Sequence, residues 1–400
     1  MKYVIILADG CADRPLEVLG GKTPLEAANI PNMDSFAQKG SLFFVKTVPE
    51  GMKPGSDVAN LSVMGYDPHL YYTGRSPLEA ASIGVELKPN QTAFRANTVT
   101  LSDEEDYAAK TMVDYSAGEI TTPESSQLLQ AVEKELGGSG IHFYPGVSYR
   151  HLFVWDDAPE SFKLTPPHDI SDRKVTDYLP DNEVILDLMK KSEKILKNHP
   201  INQKRVAEGK NPATSLWIWG EGKKPALSSF EELYGVKGAV VSAVDLIKGI
   251  AILAGMKSID VEGATGNINT NFDGKAKAAT DALLKEGCDL VYVHLEAPDE
   301  CGHQGDAPGK KLSLELIDEK VIGYIKARLE ESGEDYKFMV LPDHPTPVSI
   351  KTHSGESIPC VMYKKGEDKA TDHVYTEDCA EKNGEVVPVG HELMKKFLEY

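Results

Sequence analysis

Apolar runs that lead into acidic residues or histidines occur near both ends of the chain. Lys2–Ala8 reads KYVIILA and is followed by Asp9, and Lys337–Leu341 reads KFMVL and precedes Asp343-His344 after one proline. Short uninterrupted apolar runs are typical of strands that are buried on both faces. Because a parallel strand presents its carboxyl end at the open edge of a sheet, the pattern predicts that these polar residues lie where α/β enzymes place their chemistry.

Strand-like and helix-like segments alternate in the N-terminal part of the chain and again beyond residue 235. Helix starts are indicated by Thr23-Pro24, by Asn32–Ala37 and by Ser56. The later segments are the strands Ala239–Ala243 and Asp289–Leu295 and the helices Asp245–Ala254, Ala276–Lys285 and Leu312–Glu330. Strands separated by helices of this length predict an α/β fold with a mostly parallel central sheet and helices on both faces.

The middle of the chain, from about residue 73 to residue 235, is richer in turns and in mixed polar segments. Its predicted elements are the strands Thr98–Leu101, Ile141–Tyr144 and His151–Trp155, the helix Glu124–Leu136 and a Pro/Gly/Lys-rich connection, Gly220–Pro225. The residues with metal-ligand chemistry come from both ends of the chain. We therefore predict a metal-binding catalytic domain formed by residues 1–72 and 236–400, interrupted by a smaller α+β substrate-binding or lid domain, residues 73–235.

Composition narrows the classes of partner. The formal net charge of the 400-residue chain is -19, from 43 Lys and Arg against 62 Asp and Glu, which argues against nucleic acid or an anionic membrane. No apolar stretch approaches the ~20 residues of a membrane span, and the run after Lys2 is too short for a signal peptide. The 5 cysteines are odd in number and lack Cys-x-x-Cys spacing. We therefore expect a cytoplasmic protein with reduced thiols.

Six residues have the chemistry of a two-metal site. They are Asp9, Asp299, His303, Asp343, His344 and His353. Taken singly, each has an ordinary interpretation, since Asp is common in turns and His353 resembles a loop histidine. Cys301 lies among them, but a hard two-metal site prefers oxygen and imidazole, so we interpret it as a packing residue. Their occurrence in three segments predicts two divalent ions that clamp a phosphoryl group during in-line displacement.

Ser56 is the candidate nucleophile. A serine hydroxyl is a weak nucleophile at neutral pH and needs activation, for example by a metal. The free N–H groups and dipole of a helix N-terminus suit a phosphoserine. Serine is also a favoured helix N-cap, and this interpretation stays open beside the first.

The anionic substrate of such a site requires cations. Arg150-His151 and His168-Asp169 lie in the middle segment and are candidates for binding a phosphate and a carboxylate. The alternative is that these residues are simply solvated, as most surface arginines are.

Several longer motifs resemble those of one family. They are Ala8-Asp9-Gly10, Pro54-Gly55-Ser56-Asp57, Gly146 to Leu152 around Arg150, Thr165 to Asp169 around His168, Ser242 to Gly249 around Lys248, Gly263 to Gly266, and Glu296 to His303. Over essentially the whole chain, these motifs resemble the archaeal type of cofactor-independent phosphoglycerate mutase, in the alkaline phosphatase superfamily.

The resemblance implies a three-layer alkaline-phosphatase-like sandwich. It also implies interconversion of 3-phosphoglycerate and 2-phosphoglycerate, a step of glycolysis and gluconeogenesis, through a phosphoserine at Ser56. One ion would be bound by Asp299, His303 and His353, and the other by Asp9, Ser56, Asp343 and His344. The ions would be Mn²⁺, with Zn²⁺, Co²⁺ or Mg²⁺ as alternatives. Arg150, His151, His168, Asp169 and Lys248 would bind the substrate.

One departure from the family pattern keeps a second function open. The family reads Asp-His-Ser-Thr-Pro after the strand, whereas this chain has Pro345 in place of that serine. A similar branch has been proposed to act as a homoserine kinase, so a homoserine kinase-like phosphotransferase is the alternative. The chain has no Gly-x-x-x-x-Gly-Lys-Ser/Thr loop, which weakens this alternative. A non-catalytic metal-binding module is a third possibility, but it would leave Ser56 without a role.

Overall fold

The computed structural model describes all 400 residues and divides into two compact units. The sheet unit comprises residues 1–72 and 226–400, and the insert unit comprises residues 73–225. The sheet unit begins with β1 (Lys2–Ala8), α1 (Pro24–Ala27), α2 (Pro31–Lys39), β2 (Ser41–Val45), α3 (Ser56–Val63) and α4 (Pro68–Tyr71). The insert unit contains α5 (Ser76–Ser82), β3 (Gln91–Leu101), β4 (Met112–Asp114), α6 (Thr122–Leu136), β5 (Ile141–Tyr144), β6 (Arg150–Asp156), α7 (Glu183–Leu196), α8 (Pro200–Ala207) and β7 (Ser215–Lys223). The sheet unit continues with α9 (Phe230–Tyr234), β8 (Gly238–Val241), α10 (Asp245–Leu253), β9 (Lys257–Ile259), α11 (Phe272–Leu284), β10 (Leu290–Leu295), α12 (Ala297–Gln304), α13 (Ala307–Leu316), a π-helical segment (Ile317–Gly323), α14 (Tyr324–Ser332), β11 (Tyr336–Leu341), β12 (Ile358–Lys364), α15 (Glu377–Asn383), β13 (Glu385–Val387) and α16 (Leu393–Glu399).

The sheet unit is built on one eight-stranded sheet in the order β13-β2-β12-β11-β1-β10-β8-β9. β1 is paired in parallel with β10 on one side and with β11 on the other. β12 is antiparallel to both of its neighbours, and every other pairing is parallel, so β12 alone runs in the opposite direction. The predicted α/β fold with a mostly parallel sheet is confirmed. The apolar runs of β10 and β11 are buried at every position, as central parallel strands require.

Helices cover both faces of this sheet. On one face, the ring of Phe36 in α2 stacks on Tyr363 of β12 with centroids 4.9 Å apart, and α11 and α14 complete the same apolar cluster. On the other face, the hydroxyl of Tyr292 in β10 donates to Oδ1 of Asn60 in α3 at 2.6 Å. The sheet unit therefore has three layers, helix, sheet and helix.

The second boundary between the units lies at residues 225/226 rather than at the predicted 235/236. The backbone N–H of Phe230 donates to the carbonyl of Ala254 at 2.8 Å, and the hydroxyl of Tyr234 donates to the carbonyl of Gly65 at 2.8 Å. These bonds attach α9 to the sheet unit. The roles predicted for the two domains stay predictions.

The insert unit is an α+β arrangement around a five-stranded sheet. β3 pairs in antiparallel fashion with β4 and β6 on one side and with β7 on the other, and β5 completes the sheet beside β6. Phe94, Leu129, Phe153 and Met189 lie in its main apolar cluster, which joins the sheet to α6 and α7. The predicted connection at Gly220–Pro225 was partly wrong, because residues 220–223 continue β7 along β3.

None of the helices combines the length and the apolar character that a membrane crossing requires. All five cysteines are free thiols, and four of them are buried.

Candidate metal centre

Three neighbouring strands deliver most of the predicted ligands. Asp9 follows β1 directly, Asp343 and His344 follow β11, and α12, which carries Asp299 and His303, follows β10. β1 lies between β10 and β11, and all three strands run in the same direction. Their carboxyl ends therefore meet at one edge of the sheet, and residues that are distant in sequence converge there.

The outer ligand group consists of Asp299, His303 and His353, of which the two histidines are partly exposed. Nε2 of His303 lies 3.3 Å from Oδ2 of Asp299 and 3.0 Å from Nε2 of His353. Nε2 of His353 lies 3.5 Å from Oδ1 of Asp299. Nδ1 of His303 lies 3.0 Å from the carbonyl oxygen of Lys351, so Nδ1 carries a proton and donates it to that oxygen. Nε2 is then the atom that His303 offers to a metal.

The inner ligand group consists of Asp9, Asp343 and His344, all of them buried. Nε2 of His344 lies 3.3 Å from Oδ2 of Asp343 and 3.9 Å from Oδ1 of Asp9. One ligand atom from each of the three residues lies within 4.8 Å of the others, and His344 forms a second such cluster with Asp299 and His353. The two groups are therefore continuous through His344.

Ser56 is the first residue of α3, and Gly55 occupies the N-cap position. The Ser56 hydroxyl is not used as a helix cap, and Oγ lies 3.1 Å from Nε2 of His344. The side chain of Asn60, one turn further along α3, donates to the carbonyl of Ser56 at 2.8 Å and to Oδ2 of Asp343 at 2.9 Å. The hydroxyl is thereby brought to the inner ligand group.

The donor set fits divalent metal ions. Oδ1 of Asp9 is buried and has no hydrogen-bond partner, although an ionised carboxylate oxygen out of contact with water is costly without a cation or a donor. The surrounding donors are carboxylate oxygens and imidazole nitrogens, which suit Mn²⁺, Zn²⁺, Co²⁺ or Mg²⁺. Cys301 is buried outside both ligand clusters.

Without a bound metal, the pKa values of these residues are shifted because several carboxylates and imidazoles lie close together. Burial, together with the neighbouring charges of Asp343 and Asp299, holds the pKa of Asp9 well above its usual range. Burial also acts to raise the pKa of Asp299, but hydrogen bonds with His303 and His353 outweigh it and hold that pKa well below its usual range. The hydrogen bond with Asp299 raises the pKa of His303 to about 9. A bound cation would replace these protons and relieve the carboxylate repulsion.

Three polar residues at this edge were missed as site residues. Thr346 donates its hydroxyl to Oδ1 of Asp299, and that hydroxyl lies 3.3 Å from Nδ1 of His344. Asn60 contacts Asp343 as described above. Nε2 of His294, within β10, lies 2.9 Å from Oδ2 of Asp9. The signal for His294 was an ionisable residue inside an otherwise apolar strand, which requires a polar partner.

The predicted substrate residues of the insert unit fall on different faces of its sheet. Arg150 pairs with Asn97 of β3 and therefore shares a face with Arg95, two residues away. The guanidinium of Arg95 lies 4.4 Å from the ring centroid of Trp219, and the ring of His168 lies 5.4 Å from Trp219. These residues form a cationic and aromatic face, here called the cation face: Arg95, Arg150, His168 and Trp219.

His151 points away from this face because consecutive strand residues alternate. It is 4 % exposed, its Nδ1 accepts from the backbone N–H of Gly146 at 3.2 Å, and burial lowers its pKa to about 3. Asp169 is exposed and lies 3.3 Å from Nε2 of His168.

Lys248 lies in the sheet unit on α10, where it forms an ion pair with Asp260 at 2.6 Å.

A mostly parallel α/β sheet with a serine, carboxylates and imidazoles at its carboxyl edge is the architecture of metal-dependent phosphoryl-transfer enzymes. A sequence model described as 2,3-bisphosphoglycerate-independent phosphoglycerate mutase matches residues 37–202. The chain is 48% identical to a protein of Geobacter sulfurreducens named as a probable 2,3-bisphosphoglycerate-independent phosphoglycerate mutase, over 100% of both chains. It is 46% identical to the mutase of Methanothrix thermoacetophila, again over 100% of both. The chain belongs to the family of 2,3-bisphosphoglycerate-independent phosphoglycerate mutases.

Solved structures agree with this assignment. A Pyrococcus horikoshii protein superposes with a TM-score of 0.82 at 31% identity, covering 100% of this chain and 96% of the other. The cofactor-independent phosphoglycerate mutase of Thermoplasma acidophilum gives a TM-score of 0.67 at 26% identity, covering 100% and 99%. The names of these relatives support the predicted mutase function over the homoserine kinase alternative.

Proposed function

We propose that this protein interconverts 3-phosphoglycerate and 2-phosphoglycerate in the cytoplasm, with Ser56 as the temporary phosphoryl acceptor. The observation that carries the proposal is the position of Ser56. This residue begins a helix, and its hydroxyl lies 3.1 Å from the buried imidazole of His344. The free backbone N–H groups at that helix start suit the charge of a phosphoserine.

The reaction has two displacements of the same kind. Oγ of Ser56 attacks phosphorus, the Oγ–P bond forms, the P–O3 bond of 3-phosphoglycerate breaks, and glycerate O3 gains the proton that Oγ gives up. The 2-hydroxyl of the bound glycerate then attacks the phosphoserine, the P–O2 bond forms, the Oγ–P bond breaks, and Oγ recovers a proton. Exclusion of water between the two steps separates a mutase from a phosphatase.

Two divalent ions, Mn²⁺ in the first instance, are proposed as cofactors. Asp299, His303 and His353 would bind one ion, and the inner ligand group with Ser56 would bind the other. When bound, the ions supply Lewis-acid stabilisation of the nucleophile and of the phosphoryl oxygens. Asn60 orients both Asp343 and the start of α3 through its two hydrogen bonds.

The insert unit is proposed to bind the small anionic substrate. Its cation face offers the exposed guanidinium of Arg150, which suits a phosphate or a carboxylate, whereas Arg95 on the same face is already paired with Glu79 at 3.1 Å. The coulombic repulsion among these cations would fall when an anion binds, which favours a phosphorylated acid over a neutral ligand.

The test is a coupled assay of 2-phosphoglycerate formation from 3-phosphoglycerate without added 2,3-bisphosphoglycerate. Wild-type protein should turn over, EDTA should abolish turnover, and Mn²⁺ should restore it. Ser56→Ala should be inactive and should not take up phosphate from radiolabelled 3-phosphoglycerate. Ser62→Ala is the matched control, because Ser62 lies on the same helix and its buried hydroxyl has no hydrogen-bond partner. Wild-type turnover by Ser56→Ala would refute the mechanism.

A further inference from the structure

A chain of buried hydrogen bonds leads from the end of β8 to the ligand Asp9. The backbone N of Val244 lies 3.0 Å from Oγ of Ser242, Oγ of Ser242 lies 3.2 Å from Nδ1 of His294, and Nε2 of His294 lies 2.9 Å from Oδ2 of Asp9. The exposed fractions of Ser242, His294 and Asp9 are 2 %, 0 % and 2 %. Because these three side chains are almost fully buried, their polar atoms depend on protein partners for hydrogen bonds.

The sheet brings these residues together. β10 lies between β1 and β8, and His294 of β10 is paired with Leu7, two residues before Asp9. Ser242 follows β8 directly, next to Val241, which is paired with Val293. The polar chain therefore crosses three neighbouring strands at the carboxyl edge of the sheet.

The direction of the chain follows from its two ends. The N–H of Val244 can only donate, so Oγ of Ser242 accepts there. At the other end Asp9 is ionised when it binds a cation and can then only accept, so Nε2 of His294 carries the proton. The buried imidazole is neutral, so Nδ1 has a lone pair and accepts the hydroxyl proton of Ser242. Every donor then points towards Asp9, and Lys275 adds a hydrogen bond to the backbone carbonyl of His294 at 3.1 Å.

The consequence for Asp9 is an asymmetric carboxylate. Oδ2 is held by His294, whereas Oδ1 is buried without a partner and lies 3.9 Å from Nε2 of His344. Rotation of the carboxylate would break the bond to His294. The chain therefore keeps Oδ1 directed at the inner ligand group.

We propose that Ser242 and His294 are positioning residues that orient Asp9 for metal binding. The inference rests on the proposed function to the extent that Asp9 is a metal ligand. Outer partners of metal ligands typically contribute about 10-fold to 100-fold to metal affinity, and an effect of about that size is expected here.

The experiment measures Mn²⁺ binding to metal-free protein, by electron paramagnetic resonance of the free ion, in wild type, Ser242→Ala and Ser242→Thr. Ser242→Ala should weaken binding at one site by about 10-fold or more, and Ser242→Thr, which keeps the hydroxyl, should restore it. Ser62→Ala should bind as wild type, because its hydroxyl makes no hydrogen bond. Equal Mn²⁺ affinity of wild type and Ser242→Ala would overturn the inference.

A second readout does not depend on turnover. In NMR spectra of protein labelled with ¹⁵N-histidine, the ring nitrogens of His294 should show the proton on Nε2. The signals of His294 are identified as those that are lost in His294→Gln. A proton on Nδ1 in wild type loaded with Zn²⁺, which is diamagnetic and leaves the signals of nearby histidines visible, would overturn the proposed direction of the chain. Mn²⁺ binding without mutase activity would refute the proposed function but leave this inference standing, so the two failures are distinguishable.

Discussion

The two units of this protein concentrate charges of opposite sign. At the carboxyl edge of the sheet unit, three aspartates and three histidines gather within a few ångströms. On the cation face of the insert unit, Arg95 and His168 lie against Trp219, and Arg150 shares the face with Arg95. The net charge of the whole chain, -19, does not reveal this local separation of positive and negative groups. Under the proposed function, this acidic chain handles an anionic substrate because one unit binds cations and the other binds the anion.

The largest effect that would test this division is expected from the sheet unit. His303→Ala removes a ligand nitrogen that lies 3.3 Å from Asp299, so the protein should lose about one equivalent of Mn²⁺ and nearly all mutase activity. Metal analysis of the purified variant, paired with the coupled assay, measures both. An unchanged metal content would show that the outer ligand group does not hold an ion.

A smaller effect is expected from the insert unit. Arg150→Ala should lower kcat/KM by about 10²-fold through loss of a charge-assisted contact, while Mn²⁺ binding stays as in wild type. His151→Gln is the matched control, since His151 is on the same strand but points to the opposite face, and Gln keeps an acceptor for Gly146. A loss of Mn²⁺ in Arg150→Ala would break the division of roles between the units.

The smallest effect concerns pH and the metal-free protein. The hydrogen bond with Asp299 raises the folded-state pKa of His303 to about 9, above the ordinary value of 6.5. The stability that the protonated pair contributes is fully present below about pH 6.5 and is lost as pH rises through about 9. Metal-free wild type should therefore lose thermal stability relative to His303→Gln between these values. Mn²⁺ affinity should rise over the same range, since the ion must displace that proton. If the melting temperatures of wild type and His303→Gln changed equally with pH, the assignment would be contradicted.

Sequence patterns closely predicted the bounds of the strands that carry the site. β1 spans the predicted Lys2–Ala8, and β11 begins one residue before the predicted Lys337. These strands are central and parallel, so their apolar runs are uninterrupted and easily recognised. Predicted metal ligands follow these strands within a few residues, namely Asp9 after β1 and Asp343 and His344 after β11.

Other features depend on contacts that no local pattern encodes. The assignment of α9 to the sheet unit depends on bonds from Phe230 and Tyr234 to residues distant in sequence. Residues 220–223 resemble a loop because of their Gly and Lys content, yet β3 supplies hydrogen-bonding partners that hold them in β7. The separation of Arg150 from His151 follows because β6 begins at Arg150 rather than at the predicted His151, and two consecutive strand residues cannot face the same side.

The position of the insert within the chain has a consequence for the order of folding. The pairing of β1 with β10 joins residue 3 to residue 290, and residues 73–225 are made in between. The insert unit is contiguous in sequence and closes its own apolar cluster, whereas β1 has neither of its neighbours until more than two thirds of the chain has been synthesised. Long-range pairing of this kind is slow because loop closure must precede any gain from the contacts. We expect the insert unit to fold first, during synthesis on the ribosome. Until β10 and β11 have been made, β1 remains an exposed apolar segment that must be protected from aggregation.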